Sequence, residues 1–420
     1  MFQNKRVVVG ICGGIACYKA VELVSQLQQA GASVDVILTE RAEEFVSPLT
    51  FSTMSHRPVY SNLWEPSGKA AEIHIALAET AELLAIVPAT ANTIAKLAHG
   101  LADNMLSAVA LATKAPLLLA PAMHKHMYTH PATQENLARL RERGAFIVEP
   151  EVGRLASGDI GPGRLPETAT LMGAIAMTLG HNGDLAGRRV IVTAGGTQEP
   201  IDPVRYVGNR SSGKMGYALA TEARNRGAHV ILIAGPVALP TPFGIEVHKV
   251  DTTMQMHDAV FDFIQNADVL IMSAAVADFR PATTATQKIK KSSSAHNDLA
   301  EANGASSSFS LELVENPDIL RELAKALDTP NSGIKRRLVR VGFAAETENV
   351  FANAQEKLVK KRLDLLVAND VSRSDSGFET DTNKVSLLHA NGALEELPVM
   401  PKTGVAAAIW DRVVPLLGPA

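Results

Sequence analysis

Glycines, histidines and lysines that follow apolar runs are the residues of this chain that could do chemistry. Gly10, Gly13 and Gly14 close the run RVVVGICGG, where a bare backbone lets N–H groups approach an anion at the next helix start. Thr39 ends the second run, where a dinucleotide site usually carries an acid for the ribose. A hydroxyl there suits a mononucleotide phosphate, with a plain tight turn as the alternative. Pro88, Ala89, Thr90 and Asn92, in PATAN, offer small residues and a hydroxyl to a flat ring or a phosphate. The competing use of Thr90 is as a helix N-cap. His74, in AEIHIALAE, is a lone histidine with nothing nearby to form a metal set, and such residues are more often structural than catalytic. His124 and His126, in PAMHKHMY, have H-x-H spacing but no third ligand, which argues against zinc. Residues 154–164, RLASGDIGPGR, are hostile to helix and lack apolar periodicity. They read either as a flap over a site or as a surface loop.

The second half carries a different set. Gly195, Gly196 and Thr197 form another glycine turn, and residues 209–216, NRSSGKMG, hold two hydroxyls, two glycines and a lysine. That composition makes a phosphate cradle, although the order is not that of a P-loop. Asp278 follows an apolar run, and Lys288, Lys357 and Lys361 add positive charge. Lys357 and Lys361 stand four apart and share a helix face, which a merely solvated surface also explains. Together the set suggests a polyanionic nucleotide such as a triphosphate.

Two doubly wound units would position these residues. The chain begins the same way twice: RVVVGICGG from residue 6 and RVIVTAGG from residue 189. Each is a β-branched run suited to a buried parallel strand. Each leads into a helical stretch (residues 17–30 and 216–226), a glycine at the helix C-terminus (Gly31 and Gly227), and a second strand at 34–38 or 230–234. Further strands are expected at 83–87, 117–120 and 145–148, then at 269–273, 340–344 and 363–368. The fold class is therefore α/β, with two Rossmann-like domains, 1–182 and 183–420, joined in the polar glycine-rich stretch 180–187. Residues 283–310 contain seven serines and the cluster Lys288, Lys290 and Lys291. They read as a mobile loop of the second domain.

Composition narrows the class. The 420 residues are 46% hydrophobic and 20% charged, which is globular. A net charge of -4 gives no general attraction to nucleic acid or an anionic membrane. Two cysteines, Cys12 and Cys17, rule out a disulfide framework and fit a reducing cytoplasm. No run is long enough to span a bilayer, and the N-terminus lacks a signal peptide's apolar core. A soluble cytoplasmic protein is expected.

Taken in order, these strings resemble the bifunctional phosphopantothenoylcysteine decarboxylase and phosphopantothenate–cysteine ligase of coenzyme A biosynthesis. The likeness rests on GICGGIACYKA, SPLTF, PATANTIAKLAHGLADN, PAMH, ASGDIGPGR, TAGGTQEPIDPVR, NRSSGKMG, AAVADFRP, KIKK, NPDI, GFAAET and ANDVS, over nearly the whole chain. It implies a flavodoxin-like first domain that binds FMN through Gly13, Gly14, Thr39, Pro88, Ala89, Thr90 and Asn92. It implies a second domain that uses CTP with Mg²⁺ to join 4'-phosphopantothenate to cysteine through an acyl-cytidylate. In that pattern His74 is the active-site histidine, and Met123 and His124 bind substrate. Asn209 holds the acyl-cytidylate, Arg205 helps convert it and Lys288 helps form it. Gly195, Gly196, Thr197, Asp278, Asn316, Pro317, Asp318, Ile319, Phe343, Lys357 and Lys361 bind the ligase substrates. The resemblance further implies trimeric flavin domains and dimeric ligase domains, together a dodecamer.

Two positions depart from the commonest pattern. His124 stands where asparagine binds the substrate carboxylate, and Ser157 stands where a cysteine donates the last proton. The alternative is therefore a ligase whose decarboxylase half is impaired. A flavin-binding regulatory subunit would carry acidic tails, and a nicotinamide dehydrogenase would carry the dinucleotide fingerprint; neither feature is seen.

Overall fold

A computed structural model describes residues 1–63, 70–290, 309–328, 337–346, 350–370 and 380–418. Most of the serine-rich segment expected as a mobile loop, including Lys291, lies outside the described residues. The chain forms two compact units, Met1–Asn182 and Gly183–Ala420. Among the described residues no helix is long and apolar enough to cross a membrane.

The first unit runs β1 Arg6–Ile11, α1 Cys17–Gln29, β2 Ser33–Leu38, α2 Pro48–Ser55, β3 Val59–Tyr60, α3 Ala70–Thr80, β4 Leu83–Ala89, α4 Ala91–His99, α5 Met105–Ala112, β5 Leu117–Pro121, α6 Lys125–Tyr128, α7 Pro131–Glu142, β6 Phe146–Ile147, β7 Glu151–Arg154, β8 Ile160–Arg164 and α8 Thr168–Leu179. Its parallel sheet has the order β3-β2-β1-β4-β5-β6. Helices cover both faces, so β1, β2 and β4 are almost wholly buried; β1 and β4 read as nearly continuous apolar runs, whereas β2 buries Asp35, which pairs with Arg57 at 2.7 Å. The order reverses between β1 and β4, and the crevice for a ligand opens there, beyond the carboxyl ends of those strands.

One local expectation needs correction, and another takes a definite form. Gly10 does not bare its backbone to an anion: it lies buried inside β1, and a Cβ there would stand 2.3 Å from the Leu106 side chain. Close packing of α5 on the strand is what requires glycine. The segment 154–164, expected as a flap or a surface loop, takes the form of an antiparallel hairpin in which β7 pairs with β8. Gly163, at φ +137°, is pressed against the loop before α6, where a Cβ would lie 2.0 Å from Met123 O. Such contact between backbones tolerates no side chain.

The second unit runs β9 Arg189–Ala194, β10 Gln198–Pro200, β11 Tyr206–Gly208, α9 Lys214–Asn225, β12 His229–Ala234, β13 Glu246–Lys249, α10 Thr253–Phe263, β14 Val269–Met272, β15 Phe279–Pro281, β16 Leu313–Glu315, α11 Ile319–Asp328, β17 Val339–Glu346, α12 Val350–Lys360, β18 Leu365–Asp370, β19 Thr382–Asn383, β20 Val385–His389, β21 Leu394–Glu396, β22 Met400–Pro401 and α13 Lys402–Val413. Its sheet has the order β13-β12-β9-β14-β17-β18-β20-β21, and only β20 runs against the others, pairing antiparallel with β18 and with β21. Apolar clusters pack on both faces. On one face α13 lies on α9, and Trp410, fully buried, donates its indole N–H to Leu219 O at 3.0 Å. Gly31 and Gly227, at φ +93° and +92°, follow α1 and α9 as left-handed C-terminal residues.

Candidate functional site

Each unit carries a cavity where its strand order reverses. In the first, about 730 Å³ is lined by Gly13, Gly14 and Ala16 before α1, by Pro88 in β4 and Thr90 just after it, by Met123, His124 and Met127, and by the hairpin residues Arg154, Ser157 and Arg164. The volume lies within the roughly 300–1,000 Å³ of small-molecule sites. Gly13 is glycine because a Cβ would stand 2.4 Å from that of Arg41, so the turn packs flat on the segment after β2. Gly14 has only the Thr90 methyl at 4.0 Å, which leaves its backbone open to the cavity. The N-cap of α1, Ala16, brings no side-chain acceptor to the helix start. An anionic group can therefore take that place, and Pro88, Met123 and Met127 give the same cavity apolar walls for a flat ring. These features fit a flavin with its phosphate.

Thr90 serves two ends at once. It caps α4, accepting the Thr93 N–H at 3.4 Å, and it also lines the cavity. Thr39 accepts the Gly13 N–H at 3.2 Å and so fixes the glycine turn without lining the cavity itself. Ala89 is buried in β4, and Asn92 is exposed on α4; neither lines it. His74 sits on α3, half-buried, with Nδ1 buried and unpartnered, and it too is absent from this lining. At the hairpin tip, His124 Nε2 meets Asp159 Oδ2 at 3.1 Å and Lys125 Nζ meets Oδ1 at 3.5 Å. His124 first and then Lys125 hold the Asp159 carboxyl below the usual carboxylate range.

The second cavity, about 540 Å³, lies beyond the carboxyl ends of β14, β17 and β18. It brings together Asn209, Asp278, Asn316, Pro317, Asp318, Ile319, Phe343, Lys357 and Lys361 from five separate stretches of chain. Asn209 donates Nδ2–H to Val276 O at 2.9 Å, and Lys361 pairs with Asp318 at 3.0 Å. Asn316 is fixed on all sides: its Nδ2 donates to Ala277 O at 2.9 Å and Thr253 Oγ1 at 3.2 Å, and its Oδ1 accepts from Arg280 at 2.9 Å. Among the described residues no group of three or more His, Cys, Asp or Glu could hold a metal ion.

Several expected residues stand back from this cavity. Thr197 is fully buried: its hydroxyl accepts the Ala277 N–H at 2.9 Å and hydrogen-bonds to Thr253 Oγ1 at 3.1 Å. Gly195 and Gly196 are buttresses. A Cβ on Gly196 would stand 2.4 Å from Asn209 O, and one on Gly195 2.9 Å from Val237. They let the turn support the loop that presents Asn209. Arg205 and Lys288 also lie outside the lining, on a separate substructure. There buried Asp202 accepts the N–H groups of Val204, Arg205 and Ile289 at 2.8, 2.9 and 3.1 Å, and Arg205 donates to Ile289 O at 3.0 Å.

The sequence offered little to single out Asn383 and Lys402, which line the second cavity from β19 and the start of α13. Both are buried, and burial first, with Lys214 nearby, lowers the Lys402 pKa. No motif spacing joins them to Asn209; only the fold does. Asn369, in the string ANDVS, also lines this cavity, with a buried and unpartnered Oδ1.

Residues 185–416 match the family described as the DNA/pantothenate metabolism flavoprotein C-terminal domain, and residues 1–180 match the family described as flavoprotein. The coenzyme A biosynthesis bifunctional protein CoaBC of Vibrio vulnificus (strain YJ016) is 42% identical over 415 residues, covering 99% of this chain and 98% of that one. Its namesake in Bacillus subtilis (strain 168) is 42% identical over 419 residues, covering 99% and 98%. That in Escherichia coli (strain K12) is 42% identical over 411 residues, covering 98% and 97%. Matched along almost its whole length in both halves, the chain belongs to the family of coenzyme A biosynthesis bifunctional proteins.

Proposed function

We propose that the chain is a bifunctional enzyme of coenzyme A biosynthesis, a phosphopantothenate–cysteine ligase in residues 183–420 and an FMN-dependent phosphopantothenoylcysteine decarboxylase in residues 1–182. The observation that carries this is the pair of cavities, one apolar-walled beside a glycine turn, the other ringed by lysines and amides. The homo-oligomeric state and the cytoplasmic location belong to the same reading; free buried cysteines suit a reducing compartment.

In the ligase half, the carboxylate of 4'-phosphopantothenate attacks the α-phosphorus of CTP and pyrophosphate departs. The amine of cysteine then attacks the acyl carbon, CMP leaves, and the amine nitrogen loses its proton. Lys357 and Lys361 neutralise the triphosphate, and Asn209 and Asn316 orient the reactants. Asp278 and Phe343 hold the nucleotide. Mg²⁺ arrives on the triphosphate, in keeping with an ion that retains waters and binds through few carboxylates. Arg205 and Lys288 act from the Asp202 substructure.

In the decarboxylase half, FMN supplies the electron sink that makes loss of CO₂ feasible. Gly13, Gly14 and the start of α1 hold its phosphate, while Pro88, Thr90 and Met123 bound its ring. His124 binds the substrate carboxylate. Ser157, on the hairpin, stands at the proton-donor position as a much weaker acid than a thiol. His74 is retained as the active-site histidine, its unpartnered Nδ1 being the feature that supports a role.

The test combines 4'-phosphopantothenate, cysteine, CTP and Mg²⁺ with the FMN-loaded protein, followed by mass spectrometry. A cysteine adduct shows the ligase, and loss of CO₂ from it shows the decarboxylase. Asn209→Asp should slow adduct formation by about 100-fold, the cost of losing one positioned donor. An undiminished rate in that variant removes Asn209 from the mechanism.

A further inference from the structure

Asp159 satisfies His124 from within the protein. The imidazole Nδ1 of His124 accepts the backbone N–H of His126 at 3.3 Å, capping α6. The ring N–H therefore lies at Nε2, which donates a hydrogen bond to Asp159 Oδ2 at 3.1 Å. Ser157 donates its hydroxyl to the same oxygen at 3.5 Å, and Lys125 Nζ lies 3.5 Å from the other. One carboxylate at the tip of the hairpin thus gathers an imidazole N–H, an ammonium and a hydroxyl beside the cavity. These are the groups a ligand carboxylate would need.

We propose that Asp159 is an internal stand-in for the substrate carboxylate. With no substrate bound, it keeps His124 and Ser157 paired and the hairpin tip down. An arriving carboxylate takes the same donors, and Asp159 gives way with the tip. Once CO₂ has left, the product has no carboxylate to compete, so Asp159 recaptures His124 and returns Ser157 to its place. One acceptor is exchanged for another and no donor is left bare, which keeps the exchange cheap. The Asp159 side chain is 47% exposed, so its own hold is weak enough to be displaced. This rests on the proposal that His124 binds the substrate carboxylate.

Calorimetry on the FMN-loaded full chain tests it with two ligands. 4'-Phosphopantothenoylserine keeps the carboxylate but has a hydroxyl for the thiol, so it does not turn over. 4'-Phosphopantetheine lacks the carboxylate. Asp159→Ala should tighten the serine analogue by about threefold, the scale of an exposed ion pair, and leave phosphopantetheine unchanged. Asp159→Asn, which retains the side-chain shape, should move in the same direction. Unchanged or weakened binding of the serine analogue, or an equal change for both ligands, overturns the stand-in role. His124→Ala separates the two ideas. If it selectively weakens the serine analogue while the Asp159 variants do nothing, only the stand-in falls. If it has no effect, the carboxylate-binding role of His124 falls with it.

Discussion

Asp202 shows how one side chain can organise residues it does not resemble. Only 2% exposed, it spends its oxygens on three backbone N–H groups, two from its own turn and one from Ile289, beside Lys288. Burial alone would raise its pKa, but these donors and the nearby Arg205 guanidinium outweigh it and hold the carboxyl below the usual range. The charged form is favoured by the fold, so its stabilisation is present above the unfolded value near 4 and drains away as pH falls through the lowered pKa. Hydrogen-exchange protection at Val204 and Arg205 should hold at neutral pH and decline below about pH 4. Asp202→Asn should cut ligation turnover by roughly tenfold while CTP affinity stays within about twofold, because the arginine and lysine are unsettled and the second cavity is untouched. Parallel loss of turnover and CTP affinity would show that Asp202 supports the cavity instead. None of this was visible in the string DPVR, since the Ile289 contact joins residues 87 apart.

Among elements, those buried on both sides were the most legible. Strands β1, β4, β9 and β14 are largely apolar because helices cover both sheet faces, and each expected run starts at its strand's first residue. The β7–β8 hairpin was not legible. Gly163 answers to contact with the Met123 backbone, and the run of glycines and proline around it lacks the alternation by which a strand is recognised. β20 and β21 likewise extend the second sheet antiparallel without any crossover helix to announce them. Gly163→Ala follows from the same contact. The added methyl cannot fit against Met123 O, so the hairpin should lift from the loop before α6, at a cost of about 1–3 kcal/mol. Limited proteolysis should then cut within residues 155–159 in the variant and spare the parent chain; identical cleavage patterns would contradict it.

At the scale of the molecule, the residues of a site were easier to list than to assemble. Asn209 and Asp278 advertise themselves after strands and Lys361 after a helix, but Gly195, Gly196 and Thr197, also beyond a strand, turn out to be struts. Asn383 and Lys402 reach the same cavity from sequence that carries no signal. Topology decides which residues face inward, and topology is set by long-range packing. In the second unit that packing centres on Trp410 between α13 and α9. Trp410→Ala should destabilise this unit by about 3–5 kcal/mol, the cost of an aromatic-sized void. Calorimetry should show its melting transition fall while the flavin absorbance of the first unit persists, as the apolar clusters of the two units do not share residues. The indole that seals α9 is made 191 residues after the carbonyl it binds. On the ribosome, the strands of the second unit must therefore emerge and wait, one apolar face uncovered, until translation delivers the last clasp, whereas the first unit can close long before.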